Sequence, residues 1–324
     1  MNILYTLNDA FVPQVAAGIT SVCENNKRMD DITFYLMSLN ISEENERKLE
    51  EYVHGYGRQI TFIELEDMQK FFTFQINTSG WNPIVLARLL LDELLPDTLE
   101  RILYLDGDTI VRGDLSELWA TDMGESAIAA CIEPTCNKVR KSSLGLDGIP
   151  YYNAGVLLVD LINWRKYGTG KQILDFYAAH EGKLFANDQD AINGSQAGKI
   201  VTLSSTYNYC NSYDFYAYRF LNRLVDYRFM PKTEYLAIKV NPTIVHYLGE
   251  ERPWRIGNHH KFRKDYDRYL DMTPWKGQNY EEGWRFYFMV WNVFNVVMKP
   301  FSALRYRIID ALIPAVLAHR AKKK

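Results

Sequence analysis

Asp106 and Asp108 stand one residue apart in Leu103-Tyr104-Leu105-Asp106-Gly107-Asp108. Two carboxylates at that spacing, behind an apolar strand, can turn toward one hard cation, and oxygen ligands suit Mg²⁺ or Mn²⁺. Such an ion neutralises charge that builds on an anionic leaving group such as a nucleoside diphosphate. Asp-x-Asp also occurs in plain turns, so its weight here comes from the apolar run in front of it.

Three further constellations hold polar groups beside apolar runs. His246 follows Ile244 and Val245 and is a candidate third ligand, or else a hydrogen-bonded structural residue. Gly249 and Arg252 come next. The glycine would let the backbone approach a phosphate, and the guanidinium could pair with it. In Tyr152-Asn153-Ala154-Gly155-Val156-Leu157, Asn153 can hydrogen-bond a sugar hydroxyl while the small residues leave room for a ring. The plain alternative is a strand entered through a small-residue turn. In Asn187-Asp188-Gln189-Asp190, Asp188 can accept from hydroxyls and Gln189 can turn an amide to a reacting face. The alternative there is a helix cap with solvated acids.

These groups need a scaffold that collects strand ends. The pattern predicts strands at 3–7, 32–37, 60–65 and 101–105, with helices at 12–25, 42–54 and 83–95 between them. Further strands are expected at 127–131, 155–159 and 244–247, and helices at 171–180 and 187–193. The stretch 204–240 is rich in Tyr, Asn and Arg and lacks periodicity; it reads as irregular cover for the sheet and part of an acceptor groove. Strand–helix alternation indicates an α/β layer with a mostly parallel sheet. Ligands of such sheets sit at the carboxyl ends of strands near a switch in strand order, where Asn8-Asp9 and Asp106-Gly107-Asp108 fall.

The 324 residues are 47% hydrophobic, enough for one large core with an appendage. A net charge of −3 argues against a nucleic-acid binder. From Trp284 onward, Arg285, Lys299, Arg305, Arg307, Arg320, Lys322, Lys323 and Lys324 face Asp310 alone, so this tail carries +7 and the body −10. Cys23, Cys131, Cys136 and Cys210 match no zinc framework and read as reduced, packed thiols of a cytoplasmic protein. The start Asn2-Ile3-Leu4-Tyr5 lacks a basic n-region, so no signal peptide is expected, and no run is long enough for a spanning helix.

The ordered set resembles the family-8 glycosyltransferases, retaining enzymes that include bacterial lipopolysaccharide galactosyl- and glucosyltransferases and, more distantly, glycogenin. The elements are the Asn-Ile-Leu-Tyr-Thr start, Arg88 in Leu86-Ala87-Arg88-Leu89, the Asp106–Asp108 pair, Asn153-Ala154-Gly155, Asn187-Asp188-Gln189-Asp190 and His246-Tyr247. The resemblance spans residues 1–270. It implies a GT-A type fold, a Rossmann-like mixed sheet flanked by helices. It also implies a UDP-glucose or UDP-galactose donor and Mn²⁺, with Mg²⁺ as a substitute, held by Asp106, Asp108 and His246. Thr6, Asn8 and Asp9 would sit at the uridine. Arg88, Asp106, Asn153, Ala154, Asp188 and Gln189 would surround the donor sugar, and Gly249 and Arg252 would contact the diphosphate. Asn153, Asp188 and Gln189 would be the groups nearest the chemistry. The family often has an acid where this chain has Asn8, and Lys where it has Arg252. Gln189 is a poor nucleophile, so front-face attack is expected, with the departing phosphate oxygen accepting the acceptor's proton.

Residues 271–324 read as a helical appendage. Trp284, Phe286, Phe288, Trp291 and Phe294 precede Pro300, and Leu304, Ile308, Leu312 and Val316 follow it before the basic end. Mixed aromatic and basic residues in amphipathic helices suit an anionic membrane surface; the alternatives are a hairpin packed on the body or an oligomer contact. The expectation is a peripheral protein at the inner face of the cytoplasmic membrane, acting on a glycan or glycolipid acceptor such as lipopolysaccharide core. A self-glucosylating enzyme using a tyrosine between Tyr207 and Tyr218, and a silent sugar-nucleotide-binding scaffold, are the competing functions.

Overall fold

Residues 1–78, 80–278 and 280–321 are described by the computed structural model. Asn2–Asn8 (β1) buries Ile3, Leu4, Tyr5 and Leu7 on both faces, as a strand inside a covered sheet must. Thr33–Leu39 (β2), Gln59–Glu64 (β3) and Arg101–Leu105 (β4) run parallel within the same layer. Thr109–Val111 (β5) leaves this layer, and Ile128–Ile132 (β6), Tyr152–Asp160 (β7) and Val201–Leu203 (β8) complete it. The seven-stranded order is β3-β2-β1-β4-β7-β6-β8. β7 is antiparallel to both β4 and β6, while β6 and β8 are parallel. Ile244–His246 (β9) pairs with β5 in a separate antiparallel ribbon.

The reversal of β7 gathers polar residues at one edge. Because it runs against β4, its first residues lie at the same edge of the sheet as the last residues of β4 and β1. Leu105 faces Val156, and the Asp106 N–H donates to the Gly155 carbonyl at 2.8 Å.

Helices fill both faces. Val12–Asn25 begins with Pro13 in its first turn and is almost wholly buried. Glu43–Gly55 is capped by Ser42, whose hydroxyl accepts from the Asn45 N–H, and opens with three acids. One core packs the Val12–Asn25 helix, β5, β9 and aromatic residues from 209–275 against the sheet. The other packs Leu86, Leu89, Trp164, Ile173 and Tyr177 on the opposite face.

Two segments differ from the sequence expectation. Residues 83–95 are a 3₁₀ helix, Pro83–Leu89, followed by the short α-helix Leu91–Leu94. Every residue from Leu86 to Leu91 is buried, so there is no solvent-facing stripe, and the tighter winding begins where the Asn82 side chain caps the Ile84 N–H. The stretch 204–240 is helical in pieces: Ser205–Tyr207, Ser212–Phe215, Tyr218–Leu224 and Lys232–Val240. Tyrosine hid this. Tyr209, Tyr213 and Tyr235 are core residues with buried rings; the Tyr235 hydroxyl finds a local partner, donating to the Tyr216 carbonyl at 2.7 Å.

The four cysteines are free and buried. Among the described residues no helix is long and apolar enough to cross a membrane. The tail forms Arg285–Met298 and Ser302–Ala321, broken around Pro300. One side packs on the body through Phe288, Met298 and Arg305, with the Ser302 hydroxyl accepting from the Ala217 N–H and Tyr306 donating to the Thr135 carbonyl. The other side leaves Phe286, Met289, Val293, Val296, Val297 and Leu304 exposed. The tail is thus packed on one side and bare on the other. Its basic end, Lys322, Lys323 and Lys324, lies outside the described residues, as do the side chains of Val316, His319 and Arg320.

Candidate active site and metal centre

β4 ends at Leu105, and Asp106-Gly107-Asp108 turns the chain into β5. The ribbon of β5 and β9 sets Thr109 opposite His246, and the Tyr247 N–H donates to the Asp108 carbonyl at 2.9 Å. Three side chains from distant parts of the chain thereby converge. His246 Nε2 lies 3.2 Å from Asp108 Oδ1 and 3.6 Å from Asp106 Oδ2. One ligand atom from each residue falls within 4.8 Å of the others.

Each ligand is aimed by neighbours. Asp106 Oδ1 accepts from the Tyr104 hydroxyl at 2.6 Å and from Arg88 Nη2 at 2.8 Å, which leaves Oδ2 facing the cluster. Thr6 in turn bonds the Tyr104 oxygen at 3.0 Å. Gly155 is obligatory: a Cβ there would stand 2.2 Å from His246 Cε1 and 2.8 Å from Asp106 Oδ2. The room left by Gly155 is therefore filled by His246 and Asp106.

The tautomer of His246 is fixed by a relay of amides. The Gly155 N–H donates to Asn153 Oδ1 at 2.9 Å, and a backbone N–H cannot be reversed. Asn153 Nδ2 then faces the acceptor Glu133 Oε2 at 3.1 Å. Asn208 Nδ2 donates to Asn153 Oδ1 at 2.8 Å, so Asn208 Oδ1 faces His246 Nδ1 at 2.9 Å. That oxygen only accepts, so Nδ1 carries the proton and Nε2 offers a lone pair. Two carboxylates and one imidazole nitrogen so arranged fit Mn²⁺ or a similar divalent ion. Burial alone would lower the His246 pKa, but Asp108 and then Asp106 hold it above its ordinary value. Burial raises the Asp108 pKa, and His246 more than offsets that, holding it low.

A cavity of about 560 Å³ opens beside the triad. Thr6, Asn8, Arg88, Asn153, Ala154, Asp188, Gln189, Gly249 and Arg252 all line it. Arg88 is buried and bridges three groups: Asp106, the Ala154 carbonyl at 2.7 Å and Asp188 at 3.3 Å. Burial raises the Asp188 pKa to about 6 against the pull of Arg88, with Asp106 adding to the rise. The acids of 187–190 divide their work. Asp190 caps the helix Asn187–Ser195 through the Ala186 N–H and accepts from Tyr151 and Arg140, while Asp188 faces the cavity. Gln189 is held at both ends, accepting from the Ala154 N–H at 3.0 Å and donating to the Tyr151 hydroxyl at 3.1 Å. Gly249 has φ +74°, a glycine conformation. Arg252 is surrounded by the rings of Phe11, Trp81 and Trp254 at 5.6–5.8 Å, and its Nε makes no hydrogen bond.

Two expectations need correction. Asp9 does not line the cavity; its carboxylate accepts from the Ser42 N–H, the Ser42 hydroxyl and Asn45 at the start of the Glu43–Gly55 helix. The Asn153 side chain lines the cavity and also bonds Gly155, Asn208 and Glu133, which ties it to His246 through the relay. Tyr209, Tyr213 and Tyr216 are buried in the core, out of reach as self-glucosylation acceptors. Sequence reasoning missed Phe11, Trp81 and Asn82 in the wall and Asn208 and Glu133 behind it. Trp81-Asn82-Pro83, a tryptophan before a helix cap, was a usable signal; Asn208 offered none.

The ligand geometry sets two expected outcomes. Metal must displace the proton that Asp108 and Asp106 favour on His246. Mn²⁺ affinity, measured by calorimetry, should rise about tenfold per pH unit up to the raised His246 pKa, above 6.5, and then level off. An affinity flat between pH 5.5 and 8 would contradict this. Asn208→Ala should weaken Mn²⁺ binding by about 10–100-fold with little change in melting temperature.

Residues 2–256 match the sequence profile of glycosyl transferase family 8. The chain is 24% identical over 278 residues to General stress protein A of Bacillus subtilis (strain 168), covering 85% of this chain and 94% of that one. It is 25% identical over 290 residues to the lipopolysaccharide 1,2-glucosyltransferase of Escherichia coli (strain K12), covering 85% and 79%. The crystal structure of the galactosyltransferase LgtC in complex with donor and acceptor sugar analogues superposes with a TM-score of 0.70 at 25% identity, covering 88% of this chain and 99% of LgtC. The mixed sheet is accordingly of the GT-A type, and the chain belongs to glycosyl transferase family 8.

Proposed function

We propose that the protein is a divalent-metal-dependent, retaining hexosyltransferase that takes glucose or galactose from a UDP-sugar and delivers it to a cell-surface glycan such as lipopolysaccharide core. The observation that carries this is the aimed set of Asp106, Asp108 and His246 opening onto a cavity that also holds Arg88, Asp188, Gln189 and Arg252. The names of the Escherichia coli relative and of LgtC support the hexose and the acceptor class.

A divalent ion, when bound, would supply positive charge at the donor's diphosphate. The protein's own groups do the rest. Arg252, half-buried with its Nε enclosed and without a hydrogen bond, offers the diphosphate a second cation. Asp188 can accept from sugar hydroxyls, which would repay the burial that raises its pKa to about 6. Gln189, tied to Ala154 and Tyr151, is a rigid wall beside the reacting carbon and a weak nucleophile. Front-face attack suits this arrangement, with the leaving phosphate oxygen taking the acceptor's proton.

The tail fits an anionic lipid surface at the inner face of the cytoplasmic membrane. Phe286, Met289, Val293, Val296 and Val297 form an exposed apolar strip, and the tail's cations Arg285, Lys299 and Arg307 are exposed as well. A lipid-linked acceptor would then lie within reach of the cavity.

UDP release from a panel of UDP-sugars with Mn²⁺ tests the chemistry. One donor should turn over, and either chelator or Asp108→Ala should cut the rate at least about 100-fold, the loss of a charge-stabilising group. A protein that releases no UDP and binds none by calorimetry would be a silent scaffold instead. For the membrane, Val293→Glu with Val297→Glu should abolish co-sedimentation with anionic vesicles and leave UDP release in solution unchanged. Unaltered sedimentation would refute the lipid contact.

A further inference from the structure

Gly249 and Arg252 sit on a loop whose far side faces the C-terminal helix. Glu251, one residue before Arg252, is buried, and its Oε1 accepts from the indole N–H of Trp291. Its Oε2 accepts from Asn258 at 3.2 Å. Three residues beyond Arg252, the Arg255 guanidinium stacks 3.7 Å from the Trp284 ring and bonds Glu281 at 2.9 Å. Trp254, a wall of the ring cage around Arg252, donates its indole N–H to Glu281 at 3.0 Å. Backbone contacts reinforce this: the Ile256 N–H donates to the Glu281 carbonyl, and the Glu281 N–H to the Trp254 carbonyl. At Gly257, φ +94°, an added Cβ would come within 3.0 Å of Arg285 Cα.

The holding groups come from 281–291, whereas the family match ends at residue 256. Behind them, Arg305 fixes the helix, its guanidinium 5.2 Å from the Trp291 ring and bonded to Asn295 at 2.7 Å. Burying an arginine and a glutamate in one aromatic cluster costs free energy unless they find hydrogen-bond partners. Here Glu251 and Arg255 find theirs across the junction between loop and tail.

We propose that the helix Arg285–Met298 is a positioning element of the donor site: through the Trp291–Glu251 hydrogen bond and the Trp284–Arg255 stack it holds Arg252 where the donor's diphosphate binds. This rests on reading the cavity as a nucleoside-diphosphate-sugar site. Neither Trp291 nor Trp284 lines the cavity. They fix the loop, so their loss should be felt by the phosphates and by neither the base nor the metal. It also alters what truncation does: removing residues 283–324 takes away the loop's support, so the shortened protein should lose donor affinity as well as any lipid contact.

Binding by the full chain separates these effects. Trp291→Phe keeps a ring and removes the N–H; Trp284→Leu removes the stack. Each should weaken UDP binding in saturating Mn²⁺ by about 5–30-fold, within the range for one lost hydrogen bond or cation–π contact. Uridine binding and Mn²⁺ binding without nucleotide should stay within about twofold of wild type. UDP affinity unchanged in both variants would overturn the proposal. So would equal losses for UDP and uridine, which would mark general damage. A wild type that binds uridine but gains nothing from the diphosphate would remove the donor reading and this inference with it.

Discussion

The structure depends on making two aspartates and a histidine present lone pairs to one point. Side by side, Asp106 and Asp108 repel, and both lose water. The fold answers with fixed partners. Arg88 and Tyr104 occupy one oxygen of Asp106, and Asn208 occupies one nitrogen of His246. The other oxygen of Asp106 and the other nitrogen of His246 are the atoms that face inward. The antiparallel β7 serves the same constraint, since only a reversed strand brings its first residues to the edge where β4 ends. Gly155 is the point of closest approach, where even a methyl group would collide with two ligands.

Much of this was legible from the chain. Hydrophobic runs ending in polar residues located β1, β4, β7 and β9 to within a few residues, because a strand buried on both faces leaves little choice of residue type. Asp106, Asp108 and His246 stood out because each comes at or just after the end of such a run. The relay behind them was hidden. Asn208 lies in a stretch where tyrosine rings are core, so neither periodicity nor polarity marks what is inside. Asp9 misled for a related reason: it follows a strand end, yet a helix start with its own N–H groups lies nearer than the cavity. Proximity to a strand end is a statement about backbone, and the partner of a short carboxylate is decided by whichever donors the next element brings.

The division of charge between body and tail takes on a different meaning once the contacts are seen. The basic tail could have been a detached arm, but Arg305 is one of its most buried side chains, packed among Phe215, Trp291 and Phe294. That guanidinium is a fastener. The cations Arg285, Lys299 and Arg307 are exposed instead. One helix therefore has two faces with different tasks, one tied to the loop that carries Arg252 and one turned to solvent. Whatever meets the outer face does so on an element tied to the loop that lines the cavity. By reciprocity, any stiffening of that helix by a surface is free energy the donor need not supply.

Arg252 shows the cost of such a site. Burial lowers its pKa, and Asp108 only partly offsets that. Three aromatic rings surround it, drawn from the end of β1, the approach to the Pro83–Leu89 helix and its own loop. Rings stabilise a cation by their faces but accept no strong hydrogen bond, so the charge is held in place while its Nε stays without an acceptor. A lysine could bend its ammonium toward water; a planar guanidinium caged by rings cannot do so without breaking the cage. The same rigidity that makes this half-buried cation costly leaves it poised for an anionic group, which on the proposed reading is the donor's diphosphate.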